Sequence, residues 1–178
     1  MARGSHGERR VTEKKGPRFC YRCGGELSVR RLVDHDRLVC PRCGEIHYQN
    51  PVLAAGTVIR LPHDRLVLIR RSIEPGYGQV SIPGGHVELG ETVEDGARRE
   101  TREEVGLEVE LDDVLGVFTY ATSRVAVVVY LAHPVGGRLL AESPECSEIF
   151  TVSRHAVPWD ELAFRSTRDA LEKYTGHA

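Results

Sequence analysis

The pattern of apolar and polar positions divides the chain near residue 51. Beyond it, β-branched apolar runs are punctuated by polar turns. Val52 to Arg60 and Arg65 to Arg71 flank Pro62-His63-Asp64 and predict a hairpin. Ser72 to Gly78 is a polar Gly/Pro loop, and Val80 to Ile82 is a short strand feeding Pro83-Gly84-Gly85. A loop and a helix follow. Thr92 with Asp95 three residues on resembles a capping box, and Gly106 suits the position just past a helix end. Glu108 to Tyr120 alternates in part and predicts a strand. Arg124 to His133 is the most apolar run and predicts a central one. Arg138 to Ala141 and Glu148 to Val152 read as shorter strands. Trp159 to Tyr174 holds a last helix, packing through Leu162, Ala170, Leu171 and Tyr174. Strands mixed with two helices predict an α/β sandwich.

Before residue 51 the pattern is weaker. Residues 1–17 are rich in Gly, Arg, Lys and Glu and predict a disordered lead-in. Residues 18–50 form a small module. In it Leu27 to Val33, an Asp34-His35-Asp36 turn and Arg37 to Val39 make a short hairpin. The junction, residues 44–51, has no Gly/Ser linker, so a docked rather than tethered module is expected. Residues 51–178 are the main domain.

The 178 residues suit one ordinary domain plus such a module. The formal net charge of −2 argues against general coating of nucleic acid and against a membrane-surface role. No apolar run of about 18 residues and no signal-peptide core is present, so a cytoplasmic protein is expected.

The cysteines sharpen the picture of the module. Cys20-x-x-Cys23 and Cys40-x-x-Cys43 are separated by 16 residues, and each is followed by Gly. Such knuckles supply four thiolates for a closed, structural zinc site. A redox pair fits two tandem knuckles badly. His35 and His47 are further metal-ligand candidates, with His35 read as a turn residue. Arg22, Arg30, Arg31, Arg37 and Arg42 give the module a positive cast, for which a solvated or docking surface is the plainer reading. Cys146 reads as a small apolar filler.

The chemistry is concentrated in the predicted helix. Glu100, Glu103 and Glu104 lie at i, i+3 and i+4, so three carboxylates share one face. Like charges so close destabilise a helix. Either Arg98, Arg99 and Arg102 neutralise them or a hard cation such as Mg²⁺ or Mn²⁺ does. The 23 positions from Gly85 to Leu107 decide between these. Gly85, Glu91, Arg99-Glu100, Glu103-Glu104, Gly106 and an aliphatic residue fall at the spacing of the Nudix hydrolase signature, which the chain resembles. Thr101 departs from it, standing where the family has an aliphatic residue that packs the helix on the sheet.

The resemblance implies an α/β/α sandwich with a mixed sheet, and Mg²⁺- or Mn²⁺-assisted attack of water on a diphosphate. It implies that Glu100, Glu103 and Glu104, with the Gly85 carbonyl, hold the metal. Arg99 would pair with a carboxylate, and Glu91 would orient the loop. A general base is expected from Glu142, Glu145 or Glu148, with Glu145 preferred. The ribbon, the His47-Tyr48-Gln49-Asn50-Pro51 junction and the Trp159 to Phe164 stretch resemble the zinc-ribbon Nudix proteins that include plant plastid FAD and ADP-ribose pyrophosphatases. A Ser-Gln-Pro-Trp array typical of the related NADH pyrophosphatases is absent. The implied substrates rank ADP-ribose, FAD, then NADH, with Tyr48, Tyr77, Phe118 and Tyr120 as candidates to stack a base. Homodimers are common in such a family. An RNA-directed (decapping-type) enzyme, a dinucleoside polyphosphate pyrophosphatase and a non-catalytic nucleotide sensor are the alternatives.

Overall fold

The computed structural model describes residues 16–177. Most of the lead-in expected over residues 1–17 therefore lies outside the described residues. The chain splits into two compact units, Met1–Asn50 and Pro51–Ala178.

In the first unit, β1 (Ser28–Leu32), β2 (His35–Val39) and β3 (Ile46–His47) form an antiparallel sheet in the order β1-β2-β3. The hairpin turn is tighter than its composition implied. Val33-Asp34 makes it, and His35 opens β2 instead of lying in the turn. The cross-strand pair Arg31–Asp36, at 3.3 Å, fits this register. Val33 takes φ = 52°, a conformation that a β-branched residue rarely adopts.

The second unit carries a seven-stranded sheet. Its main path is β10 (Cys146–Ser153), β5 (Arg65–Arg71), β4 (Val52–Leu61), β9 (Val125–Gly137) and β8 (Leu107–Phe118). Two short strands hang off it: β6 (Val80–Ser81) on β5, and β7 (Gly84–His86) on β4. β4 and β9 run parallel and the other pairs antiparallel, so the sheet is mixed. Helix α1 (Val93–Val105) covers one face and α2 (Arg165–Thr175) the other.

Period-two alternation in β4 and β5 builds both core layers. Val58, Leu66 and Leu68 point toward Ala170 and Leu171 of α2, whereas Ile59, Val67 and Ile69 point toward Val105 of α1. Each such fully buried aliphatic side chain contributes about 1.5–3 kcal/mol. Thr101, the departure from the family pattern, is fully buried on the α1 face. Its hydroxyl donates to the Ala97 carbonyl at 2.8 Å and accepts from Thr57 of β4 at 2.8 Å. A matched polar pair thus replaces an apolar contact, and no buried hydroxyl is left without a partner there.

Two predicted elements differ. Residues 138–141 are not a strand. β9 continues to Gly137, and the N–H groups of Arg138 and Leu140 then donate to the carbonyls of Gly106 and Val105 at the end of α1. The last helix is also shorter. Trp159–Glu161 is a single 3₁₀ turn, and α2 begins at Arg165. Between them Leu162 bridges Val80, and the Ala163 N–H donates to the Val80 carbonyl, which holds that backbone extended.

Candidate active site

Helix α1 begins and ends where its sequence dictates. The Thr92 hydroxyl accepts from the Asp95 N–H at 3.1 Å, and Gly106 closes the helix at φ = 76°. Only half of the capping box forms, because the Asp95 carboxylate turns to Arg98 instead, at 3.4 Å. Just before the helix, the β7 glycines let the chain pass close to it. A Cβ on Gly84 would lie 2.4 Å from the Ala55 carbonyl, and one on Gly85 would lie 2.5 Å from the Glu100 carboxylate. Backbone and carboxylate therefore share a space that only glycine leaves open.

The three helix glutamates sit in different surroundings. Glu104 is buried (5% exposed) and accepts the Gly84 N–H at 2.8 Å. Burial pushes its carboxyl up to about 7; the Gly84 hydrogen bond and Arg71 oppose this, while Glu100 and Glu145 add to it. Glu100 is half-buried, and burial raises it too, against the pull of Arg99. Glu103 is exposed.

Arg99 is the organising cation. It donates to Glu91 at 2.8 and 3.1 Å, to Glu100 at 2.8 Å, to Glu103 at 3.1 Å and to the His86 carbonyl at 3.0 Å. The hydrogen bonds from Arg99 and from the Glu88 N–H hold the Glu91 carboxyl down to about 2, and Arg99 itself is raised. Gly96 leaves room for this pair, since a Cβ there would meet the Glu91 carboxylate at 3.0 Å. Among the described residues only the four cysteines converge so that every ligand atom lies within 4.8 Å of the others. The glutamates are instead parted, with Arg99 holding Glu100 and Glu103 and the backbone holding Glu104.

The donor set still fits a hard dication. Burial raises the buried and half-buried carboxylates more than their basic neighbours lower them, and the side-chain-free Gly85 backbone runs close beside Glu100. In the ribbon, the Cys20–Cys43 and Cys23–Cys40 sulfur pairs are 3.7 and 3.5 Å apart, beside knuckle glycines at φ = 71° and 76°. Burial would raise the Cys40 thiol, but the N–H groups of Cys43 and Arg42 bring it down to about 7. The set is that of a structural zinc site.

Among the three acidic candidates for a base, Glu145 alone lies close enough to influence both Glu100 and Glu104. It precedes Cys146, which pairs with Arg71 across β10 and β5. Glu148 turns away to Arg70 at 3.1 Å. Of the stacking candidates, Tyr77 is exposed in the loop after β5. Phe118 packs at the margin of the α2-side core. Tyr120 donates to Asp169 at 2.7 Å with Arg165 4.6 Å above its ring. Tyr48 belongs to the other unit, where Arg37 lies 5.2 Å from its ring centre.

Sequence reasoning missed Arg71. Val67, Ile69 and Arg71 continue one alternation on the α1 face, so the position predicts an apolar residue. The arginine there is 9% exposed, donates through Nε to the Pro75 carbonyl at 2.8 Å, and lies over Phe164 at 5.1 Å. Its charge reaches Glu104. A charge at the last inward position of an otherwise apolar strand was the available signal.

Comparison with known proteins agrees with these features. The NUDIX domain family matches residues 50–174, and the Nudix N-terminal zinc-ribbon family matches residues 18–49. The "NAD-capped RNA hydrolase NudC" of Pseudomonas aeruginosa is 32% identical over 142 residues, covering 79% of this chain and 49% of that protein. The "ADP-ribose pyrophosphatase" of Methanocaldococcus jannaschii is 35% identical over 98 residues, covering 53% and 57%. The chain thus spans about half the length of these curated relatives. A crystal structure of a NUDIX hydrolase from Nitrosomonas europaea superposes with a TM-score of 0.82 at 30% identity, covering 90% of this chain and 91% of that one. Sandwich, glycine-lined acidic helix and cysteine ribbon thus converge with these matches: the chain belongs to the Nudix family and carries that family's N-terminal zinc ribbon.

Proposed function

We propose that the protein hydrolyses the pyrophosphate bond of an adenosine diphosphate joined to another group, using a divalent cation at the α1 glutamates. The observation that carries this is Glu104, a carboxylate buried beside Glu100 and the β7 glycines, which makes chemical sense as a ligand awaiting a cation. Glu100, Glu103, Glu104 and the Gly85 carbonyl would hold Mg²⁺ or Mn²⁺. When bound, such an ion polarises phosphorus and lowers the pKa of its water. Arg99, fixed by Glu91, keeps Glu100 and Glu103 positioned until the ion arrives. Glu145, whose charge is felt at both Glu100 and Glu104, would serve as the base that takes a proton from the attacking water. Arg71, charged and nearly buried at the same end of β5, would meet a phosphate oxygen.

ADP-ribose leads as substrate, supported by the relative named for it. The relatives named for NAD-capped RNA raise NAD-type dinucleotides beside it, ahead of FAD. All three share the adenosine diphosphate group. Hydrolysis of capped RNA is the second reading, favoured by those same relatives. A panel of ADP-ribose, NADH, FAD, diadenosine polyphosphates and NAD-capped RNA, ranked by kcat/KM with Mg²⁺ or Mn²⁺, tests the proposal. Release of AMP from ADP-ribose or NADH is expected, and no cleavage of any member would reject it.

A further inference from the structure

The ribbon's β-sheet carries a feature that metal binding does not explain. Arg30 and Arg37 are direct cross-strand partners in the β1–β2 register. Like charges opposite one another on an antiparallel pair destabilise it. Neither has an ion-pair partner among the described residues, although Arg18, Arg22 and Arg31 in the same unit pair with Glu26, Glu45 and Asp36. Over residues 16–50, six arginines face four acids, and the surplus is concentrated at this pair. Beside it stands an aromatic ring. Tyr48 is 64% exposed and lies 5.2 Å from the Arg37 guanidinium. His35 follows on the same face of β2, opposite Leu32. At the hairpin tip Val33 is 91% exposed and strained at φ = 52°, where a glycine would relieve the backbone.

We infer that this face of the ribbon binds a single strand of nucleic acid, with Arg30 and Arg37 on neighbouring phosphates and Tyr48 stacked on a base. Two adjacent cations and one exposed ring are the elements that single strands require, since phosphates need charge and unpaired bases need a flat apolar partner. An anionic strand also removes the repulsion that the fold alone leaves in place. The formal net charge of −2 is compatible with this, because the patch is local. The patch and the α1 glutamates belong to different units of the chain, and occupancy of the patch is measured without turnover. Failure of the hydrolase reading would therefore leave it standing.

The test is fluorescence anisotropy of the full chain, zinc loaded, with 12-nucleotide single-stranded RNA and DNA, the matching duplexes and poly-glutamate. Binding to single strands at low salt is expected, weakening with salt at a slope of about −1.4 for two phosphates. Replacing both arginines (Arg30→Gln with Arg37→Gln) lowers affinity at least tenfold and removes that slope. The same double variant keeps its zinc, loses no thermal stability and hydrolyses free dinucleotide as before, which separates lost binding from lost folding. Tyr48→Ala lowers affinity about tenfold through lost stacking. Stronger binding of RNA than DNA would place a 2′-hydroxyl contact on the same face. Absence of single-strand binding at low salt, equal affinity in the double variant, or equal binding of poly-glutamate with no effect of Tyr48→Ala would overturn the inference.

Discussion

The protein has two clusters of anionic ligands, and they are built on opposite principles. In the ribbon, two backbone knuckles bring four thiols within 4.8 Å of one another. No side-chain cation is held among them. On α1, three glutamates lie on one helix face, yet Arg99 is wedged against Glu100 and Glu103 while Glu104 is tied to the Gly84 N–H. The first cluster is preformed and depends on a metal for its stability. The second has Arg99 in place as a counter-charge, so under the proposed function its folding would not require an ion. The ribbon site and the proposed catalytic site differ in whether the chain supplies a substitute charge.

The comparison can be broken most forcefully at the thiols. Chelation of zinc, or Cys40→Ser, should unfold residues 18–49 while the second unit stays folded, since such sites supply on the order of 10 kcal/mol of folding energy. Hydrogen exchange resolved by segment checks this: protection should vanish in the ribbon and persist in β4, β5 and β9.

The α1 cluster should behave the other way. Glu104→Gln is expected to lower Mg²⁺-dependent turnover by about a thousandfold or more, the scale of losing a principal charge-stabilising group. It should not unfold the protein. The sign follows from burial. The folded-state pKa of Glu104, about 7, lies above the ordinary carboxylate value, so the folded state holds its proton more tightly. In metal-free protein this contribution is fully present at pH below about 4.5 and is lost as pH rises through 7. The substitution should therefore stabilise metal-free protein above pH 7, by on the order of 3 kcal/mol. Urea unfolding across that pH range tests it.

Arg99→Ala should have an intermediate effect. It frees Glu91, Glu100 and Glu103 together and should weaken Mg²⁺ binding about 10–100-fold, as losses of ligand-orienting partners do. Glu91 works in the opposite sense to Glu104. Its depressed pKa stabilises the fold above about 4.5 and that contribution is lost as pH falls toward 2, so the variant should lose the acid-side part of its stability profile. Arg71→Gln should raise KM and lower kcat/KM by about 10–100-fold, the cost of one charged hydrogen bond to phosphate.

The smallest effect belongs to the helix–sheet contact. Thr101→Val leaves the buried Thr57 hydroxyl unpaired and should cost about 1–3 kcal/mol, whereas adding Thr57→Val should restore most of it. Thermal unfolding of the single and double variants measures the difference.

Much of this was legible in the chain. The knuckle spacing, the Thr92 and Gly106 helix ends and the alternation of β4 and β5 are local signals, and the structure follows them. The misses have a common cause. Residues 138–141 were claimed by the carbonyls at the end of α1, and residues 162–163 by Val80, partners distant in sequence that override local propensity. The role of Thr101 needed Thr57, 44 residues away. Arg71 was hidden because a strand pattern marks which face a residue takes, not what lies beyond the strand's end. The placement of Glu145 near Glu100 and Glu104 likewise depends on the β10–β5 pairing, which no spacing along the chain reveals.

The central claim is that the buried Glu104 awaits a cation that drives pyrophosphate cleavage. Its most direct test is AMP release from ADP-ribose and NADH in saturating Mg²⁺, measured side by side for the native protein and Glu104→Gln. The account predicts cleavage of at least one of the two by the native protein and a rate lower by about a thousandfold or more in the variant, with the fold intact by circular dichroism. An unchanged rate in a folded Glu104→Gln variant would contradict it.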